Sequence, residues 1–245
     1  MRNIKILLEY DGTEYAGWQV QPDEPTVQGA LISAIRKLTN EEVTLTGASR
    51  TDSGVHALAQ CANFRTASTI PLKGIQKGLN SILAKDIVVT EALEAPLDFN
   101  SRRGAKSKTY IYRVLNRGYP TALQRRFCWF VPFPLEVGLM REGAGYFLGK
   151  KDFTSFRAAG SDAPHSIREI LTFEVDRKED GIIEFKVRGT AFLRHMVRIM
   201  VGTLEVVGAG RLEPSQIGRI IGAMDRKVAP ATAPPQGLFL KEVEY

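Results

Sequence analysis

An α+β fold is predicted for this chain, and three observations predict it. Strand-like stretches lie side by side in the sequence, at 43–48 with 57–65 and at 168–176 with 182–189, instead of alternating regularly with helices as in a doubly wound parallel sheet. Helical patterns are few. The two halves share an outline, each with roughly the strand and helix content of a ferredoxin-like unit, although no sequence repeat relates them. A chain of 245 residues, 44% hydrophobic and 24% charged, can bury the core of one large domain or of two fused halves. Two such halves side by side would form one continuous, mainly antiparallel sheet with a central cleft. Ala, Pro, Ser and Gly collect at 92–106, which puts the halves at 1–100 and 101–245.

Each element has a local reason. Ile4 to Tyr10 alternates as a strand and stops at Asp11-Gly12. Thr26 caps a helix over 27–38, with Leu31, Ala34, Ile35 and Leu38 on one stripe. A short strand at 43–48 leads to a turn around Asp52, and 57–65 is extended again. Pro71 opens a helix that runs to Leu79, and Ile87 to Glu91 forms a strand. In the second half a strand at 108–116 is followed by a helix over 135–147. Strands at 168–176 and 182–189 make a hairpin through the charged segment 177–181. A long helix over 191–207 carries Phe192, Met196, Ile199, Met200 and Thr203 on one face. A short helix begins near Pro214, and 229–236 is a fixed Pro/Ala-rich loop leading into a last strand at 237–243.

Charge narrows the function classes. The net charge is +6, but its distribution says more. Residues 101–126 hold Arg102, Arg103, Lys106, Lys108, Arg113, Arg117, Arg125 and Arg126 and no acid. Such a run suits phosphate contacts along a nucleic-acid backbone, or else a solvated face. Cys61 and Cys128 lie far apart, with no spacing that suggests zinc, and read as reduced, buried thiols. The chain enters a strand pattern within its first residues and has no apolar run of about 18 residues, so neither a signal peptide nor a membrane span is expected, and the location is expected to be cytoplasmic. Gly143 to Lys150 has the wrong spacing for a phosphate loop, with Lys151 where a magnesium-binding hydroxyl would stand. Glu41, Glu42, Glu169 and Glu174 form no metal-ligand pattern, so no metal is expected.

The candidate chemistry centres on Arg50-Thr51-Asp52-Ser53-Gly54-Val55-His56. One carboxylate sits there in a turn of small residues beside an arginine. A turn-forming role for Asp52 and a catalytic one both stand open; Arg50 and Asp52 face the same side if the stretch is extended. His56 reads as a structural or substrate-edge residue, because no serine or cysteine nucleophile motif accompanies it. Arg194 and Arg198, four apart on the expected helix, could aim at one target or face solvent. A buried arginine needs a carboxylate partner, for which Asp52 is suitable. Lys108, Tyr110 and Tyr112 alternate on one strand. The rings fit the core, or Tyr110 fits a base-stacking platform beside a phosphate-contacting Lys108.

Taken in order, the motifs resemble the bacterial tRNA pseudouridine synthase A family from end to end. Tyr10-Asp11-Gly12-Thr13, Tyr15, Gly17-Trp18-Gln19 and Gln21-Pro22 open the likeness, and Thr26-Val27-Gln28-Gly29 starts the first helix. Arg50-Thr51-Asp52 with Gly54-Val55-His56 matches the catalytic signature. Gly78-Leu79-Asn80, Asp86-Ile87, Phe99, Arg102, Lys108, Tyr110 and Tyr112 follow. Asp152 to Arg157, Phe192, Met196-Val197-Arg198, Val201-Gly202, Gly237-Leu238 and Leu240 complete it. The chain departs from the family at Ser53, where alanine is usual, and at Ala84, Ile32 and Cys61; none of these removes a catalytic group.

The resemblance implies the pseudouridine synthase fold and isomerisation of uridine to pseudouridine at tRNA positions 38, 39 and 40, without metal or small-molecule cofactor, by a homodimer whose two subunits both touch one tRNA. Carried over, Asp52 is the catalytic aspartate, Tyr110 stacks on the target base, and Arg198 pairs with Asp52. Arg50, His56, Arg102, Lys106, Lys108, Arg113 and Arg194 are the expected RNA contacts. Attack by Asp52 at C1′, attack at uracil C6, and proton abstraction in a glycal route all need the ionised carboxylate. Two rivals remain at this stage. One is a catalytically silent RNA-binding module. The other is a base-removing hydrolase, which would want a second acid/base group that the turn lacks.

Overall fold

The computed structural model describes residues 1–161 and 163–245. In chain order the elements are β1 (Arg2–Tyr10), α1 (Val27–Thr39), β2 (Thr46–Gly47), β3 (His56–Thr66), α2 (Leu72–Ile82), β4 (Ile87–Ala95), β5 (Ser107–Asn116), β6 (Trp129–Val131), α3 (Val137–Gly145), β7 (Gly149–Asp152), β8 (Ile167–Arg177), β9 (Ile182–Gly189), α4 (Met196–Gly208), α5 (Gln216–Ala223) and β10 (Leu238–Glu244). They form two compact units, Met1–Lys106 with Phe239–Tyr245, and Ser107–Leu238. The chain is α+β, with mainly antiparallel pairing in both.

The first unit runs βαββαβ before β10 joins it. β1 pairs antiparallel with both β3 and β4, β2 pairs antiparallel with β3, and β10 adds to β3 in parallel. Alternation in β1 buries Ile4, Ile6 and Leu8 completely on one face. α1 begins as its cap demands, with the Thr26 hydroxyl accepting the Gly29 amide. It lays Leu31, Ala34 and Ile35 inward, and α2 adds Ile75 and Leu79. The expected strand at 43–48 shortens to Thr46–Gly47. Trp18 lies against Gly47, where any Cβ would fall 2.4 Å from the indole ring. The β1–β3 register shifts between Leu8 and Tyr10, at the end of β1 next to the Asp52 turn.

In the second unit β9 is flanked by β5 and β8, both antiparallel. β7 continues beyond β8, and β6 lies parallel to β5. An aromatic cluster fills part of this core. Phe147 meets Phe156 at 5.1 Å and Phe173 at 5.7 Å. α4 is buried along most of its length. The 226–236 segment is pinned across it. Ala231 O stands 2.1 Å from where a Cβ on Gly202 would sit, and the Ala233 amide donates to Arg198 O at 3.1 Å. The Pro/Ala-rich stretch is therefore fixed, as its composition suggested.

Two expectations are corrected here. The long helix starts at Met196, not 191, because His195 takes φ 60°, and a left-handed residue ends backward growth of a right-handed helix. Arg194 is therefore not on the helix with Arg198. The preceding helix is also shorter than 135–147, at Val137–Gly145. Strands β6 and β7 were not anticipated. The first is three residues long, and the second, Gly-Lys-Lys-Asp, has no apolar alternation to betray it.

Candidate active site

Asp52 belongs to a turn between β2 and β3 whose geometry is set by the main chain of residues 12–18. The Val55 amide closes the turn on Asp52 O at 3.1 Å, and Gly54 adopts φ 74°. That conformation costs any other L-residue about 1–2 kcal/mol. The Trp18 amide donates to Thr51 O at 3.1 Å, and the Gly54 amide to Tyr15 O at 3.3 Å. The Ser53 hydroxyl donates to the same Tyr15 carbonyl at 3.2 Å. Beneath them, Tyr10 OH and Thr51 Oγ1 share a buried hydrogen bond of 2.8 Å.

Two glycines permit this approach. A Cβ on Gly12 would lie 2.0 Å from Val55 O, and one on Gly17, where φ is 102°, would lie 2.6 Å from Thr51 O. The loop is thus gripped from both ends by a segment that bears no catalytic group. These cradle residues were legible only as sequence motifs without a role. The signal that could have marked them is a pair of glycines five apart beside a tryptophan, just before the first helix.

His56 lies inside the first unit, 1% exposed, with its ring stacked on Phe239 at 4.8 Å. The Gly12 amide donates to its Nδ1 at 3.0 Å, while Asp11 Oδ1 is 3.1 Å from the same nitrogen. One nitrogen cannot serve both at once. The directed bond is that of the Gly12 N–H, which donates to Nδ1. His56 therefore shapes the loop. Its ring is buried in this structure.

Arg50 is exposed beside the loop, and Asp52 is half-buried. Arg102 and Lys106 are exposed too, Arg102 in a turn whose amides 102 and 103 donate to Asn100 Oδ1.

In the second unit, Tyr110 and Tyr112 share a face of β5, and both are buried, at 5% and 0% exposure. Tyr112 is a core residue. Its hydroxyl donates to Pro234 O at 2.7 Å, and Gly237 packs so close that a Cβ would fall 2.6 Å from its ring. Burial pushes its phenol well up, against the nearby charge of Arg198. Tyr110 meets Phe192 in a T-shaped contact at 5.2 Å. Lys108 is half-buried on the same strand, and Arg113 Nε lies 3.6 Å from Glu184 Oε2. Arg198, on the first turn of α4, donates through Nε to Ala233 O at 2.8 Å. Arg194 is exposed and bonds Ala159 O and Gly160 O, both at 3.3 Å. Among the described residues, no group of three or more His, Cys, Asp or Glu side chains could hold a metal ion, and no helix is long and apolar enough to cross a membrane.

The first unit thus presents a half-buried carboxylate on a backbone cradle, and the second carries a basic, aromatic-bearing strand. The tRNA pseudouridine synthase profile matches residues 6–102 and 144–245, and the chain belongs to that family. The first matched segment contains the whole cradle and the Asp52 turn. Full-length relatives agree. The chain is 47% identical over 245 residues to tRNA pseudouridine synthase A of Acetivibrio thermocellus, covering all of both proteins. It is 46% identical over 249 residues to that of Caldicellulosiruptor bescii, again covering all of both. It is 44% identical over 245 residues to that of Myxococcus xanthus, of which 92% is covered.

Proposed function

We propose that this chain isomerises uridine to pseudouridine in tRNA, at positions 38, 39 and 40 of the anticodon stem-loop. The observation that carries the reading is the Arg50-Thr51-Asp52 turn, built on its backbone cradle, in a chain that aligns end to end with tRNA pseudouridine synthases A. The reaction breaks N1–C1′, turns the uracil, and joins C5 to C1′. The proton lost from C5 is balanced by one gained at N1, so nothing is oxidised or reduced. Asp52 is the catalytic carboxylate in this chemistry. Tyr110 stacks on the extruded base and offsets part of an unstacking cost of a few kcal/mol. Arg198 pairs with the Asp52 carboxylate and aims it.

The first-unit half carries the aspartate, and the second supplies the basic strand, the stacking ring and the arginine-bearing helix. Arg50, Arg102, Lys106, Lys108, Arg113 and Arg194 contact the RNA. The enzyme acts as a cytoplasmic homodimer whose subunits grip one tRNA at separate places.

The test is Asp52→Asn, assayed by nucleoside analysis and by tRNA titration. Product is expected to vanish while binding stays within about tenfold, because affinity rests on phosphate contacts elsewhere. Pseudouridine formation at more than a few per cent of the wild-type rate overturns the role of Asp52.

A further inference from the structure

Tyr15 ties the Asp52 turn to a part of the first unit that takes no part in the chemistry. Its carbonyl accepts both the Gly54 amide and the Ser53 hydroxyl, so it is bonded to the two residues that follow Asp52. Its own hydroxyl reaches the other way and donates to Asp86 Oδ1 at 2.7 Å. Asp86 stands just before β4, where its carbonyl accepts the Asp11 amide at 2.9 Å and so fixes it to the end of β1.

The internal bond of the turn, Val55 N to Asp52 O, sets its shape but not its tilt. Tilt is fixed by ties to the outside, and on the Ser53–Gly54 side both run through Tyr15. We propose that Tyr15 is a positioning residue for Asp52, anchored by Asp86, with the Ser53 hydroxyl as an additional tie. This rests on the catalytic role assigned to Asp52 above.

The physical argument turns on one oxygen. A phenylalanine at position 15 keeps the ring and the carbonyl and loses only the bond to Asp86. The side chain is half-buried, so the ring alone can shift within its site and carry the carbonyl with it. Burial and the neighbouring carboxylates hold the phenol well above its ordinary range, so it stays a proton donor at any working pH. A misplacement of a reacting group by about 1 Å can cost about a hundredfold in rate. A fraction of that shift is enough for a measurable loss.

Tyr15→Phe, Asp86→Asn, Asp86→Leu and the double variant Tyr15→Phe/Asp86→Leu are compared in single turnover with saturating enzyme on unmodified tRNA, together with tRNA affinity and urea midpoint. Tyr15→Phe is expected to lose about tenfold or more in rate, with affinity within about twofold and the midpoint little changed. Asp86→Asn, whose amide oxygen still accepts, should stay within about threefold of wild type, while Asp86→Leu falls to the Tyr15→Phe level. The double variant should be no slower than either single one, because both remove the same bond.

A Tyr15→Phe rate within about twofold of wild type, a loss that appears equally in affinity, or a double variant showing the product of both losses overturns the proposal. If Tyr15→Phe fails to fold, the Asp86 pair is judged by the same criteria, and Ser53→Ala should lose about two- to threefold in rate alone. An inactive wild type, or an active Asp52→Asn, counts against the proposed function. An active wild type with a silent Asp52→Asn and an unimpaired Tyr15→Phe counts against this inference only.

Discussion

The two units hold their candidate functional groups in different ways. In the first, the Asp52 turn is fixed by main-chain bonds to Tyr15 and Trp18 and by close approach at Gly12 and Gly17. In the second, Tyr110 is held by packing, and Arg198 by the packing of α4 together with its hydrogen bonds to Ala233. Tyr110 lies against Phe192, while α4 is buried along most of its length and pinned by the 226–236 segment. Backbone ties have short range and fixed direction, so they suit a carboxylate that must be aimed within a few tenths of an ångström. Packing suits a ring platform, where one face matters more than one atom. The first unit should therefore fail abruptly when a backbone contact is blocked, and the second by degrees as side chains are trimmed.

The abrupt failure is expected at Gly12→Ala. The added Cβ meets Val55 O at 2.0 Å, and the turn must move. Loss of all measurable product is expected, with about 1–3 kcal/mol of destabilisation in urea. Normal turnover would show that the cradle does not aim Asp52. Tyr110→Ala should come next, losing about 1–3 kcal/mol of base stacking in single turnover. Tyr110→Phe separates the ring from the hydroxyl, and full activity of Tyr110→Ala would return the residue to the core.

Arg198→Leu should slow the reaction in single turnover more than Arg194→Leu. A near-normal rate for Arg198→Leu contradicts the proposed pairing. Arg194 donates to the loop carbonyls of Ala159 and Gly160, and its loss should chiefly weaken tRNA affinity at low salt.

The smallest effect is expected at Glu205, 7% exposed on α4 and bonded to Arg211 at 2.9 Å. Burial raises its carboxyl above the ordinary value of 4.5, and Arg211 only partly opposes this. An acid whose folded value is raised is better tolerated protonated. Its charge therefore costs stability as pH rises through the unfolded value, and the cost levels off above the folded one. Glu205→Gln should remove that portion of the pH dependence and change stability near pH 8 by no more than about 0.5 kcal/mol. A large loss would show that the ion pair, not burial, dominates there.

Much of this was legible in the sequence because it is local. The Thr26 cap, the β1 alternation and the Pro71 helix start each depend on a few neighbouring residues, and each stands where expected. The Asp52 turn was visible as a motif, and its order among the others identified the family. The start of α4 was not legible, since Phe192, Met196 and Ile199 keep helical spacing while His195 turns the backbone left-handed. The burial of His56 depends on Phe239, which is distant in sequence, and no local pattern announces it. The cradle was missed for the same reason. Its bonds join residues 12–18 to 51–55, and only folding shows that two glycines face two carbonyls.

The most direct test of the whole account is product analysis of unmodified tRNA incubated with the wild-type chain. Pseudouridine mapped to positions 38, 39 or 40 is expected, with no free uracil and no added metal or cofactor. Release of free uracil would identify a hydrolase, and binding without any altered nucleoside a silent RNA-binding module; either result would contradict it.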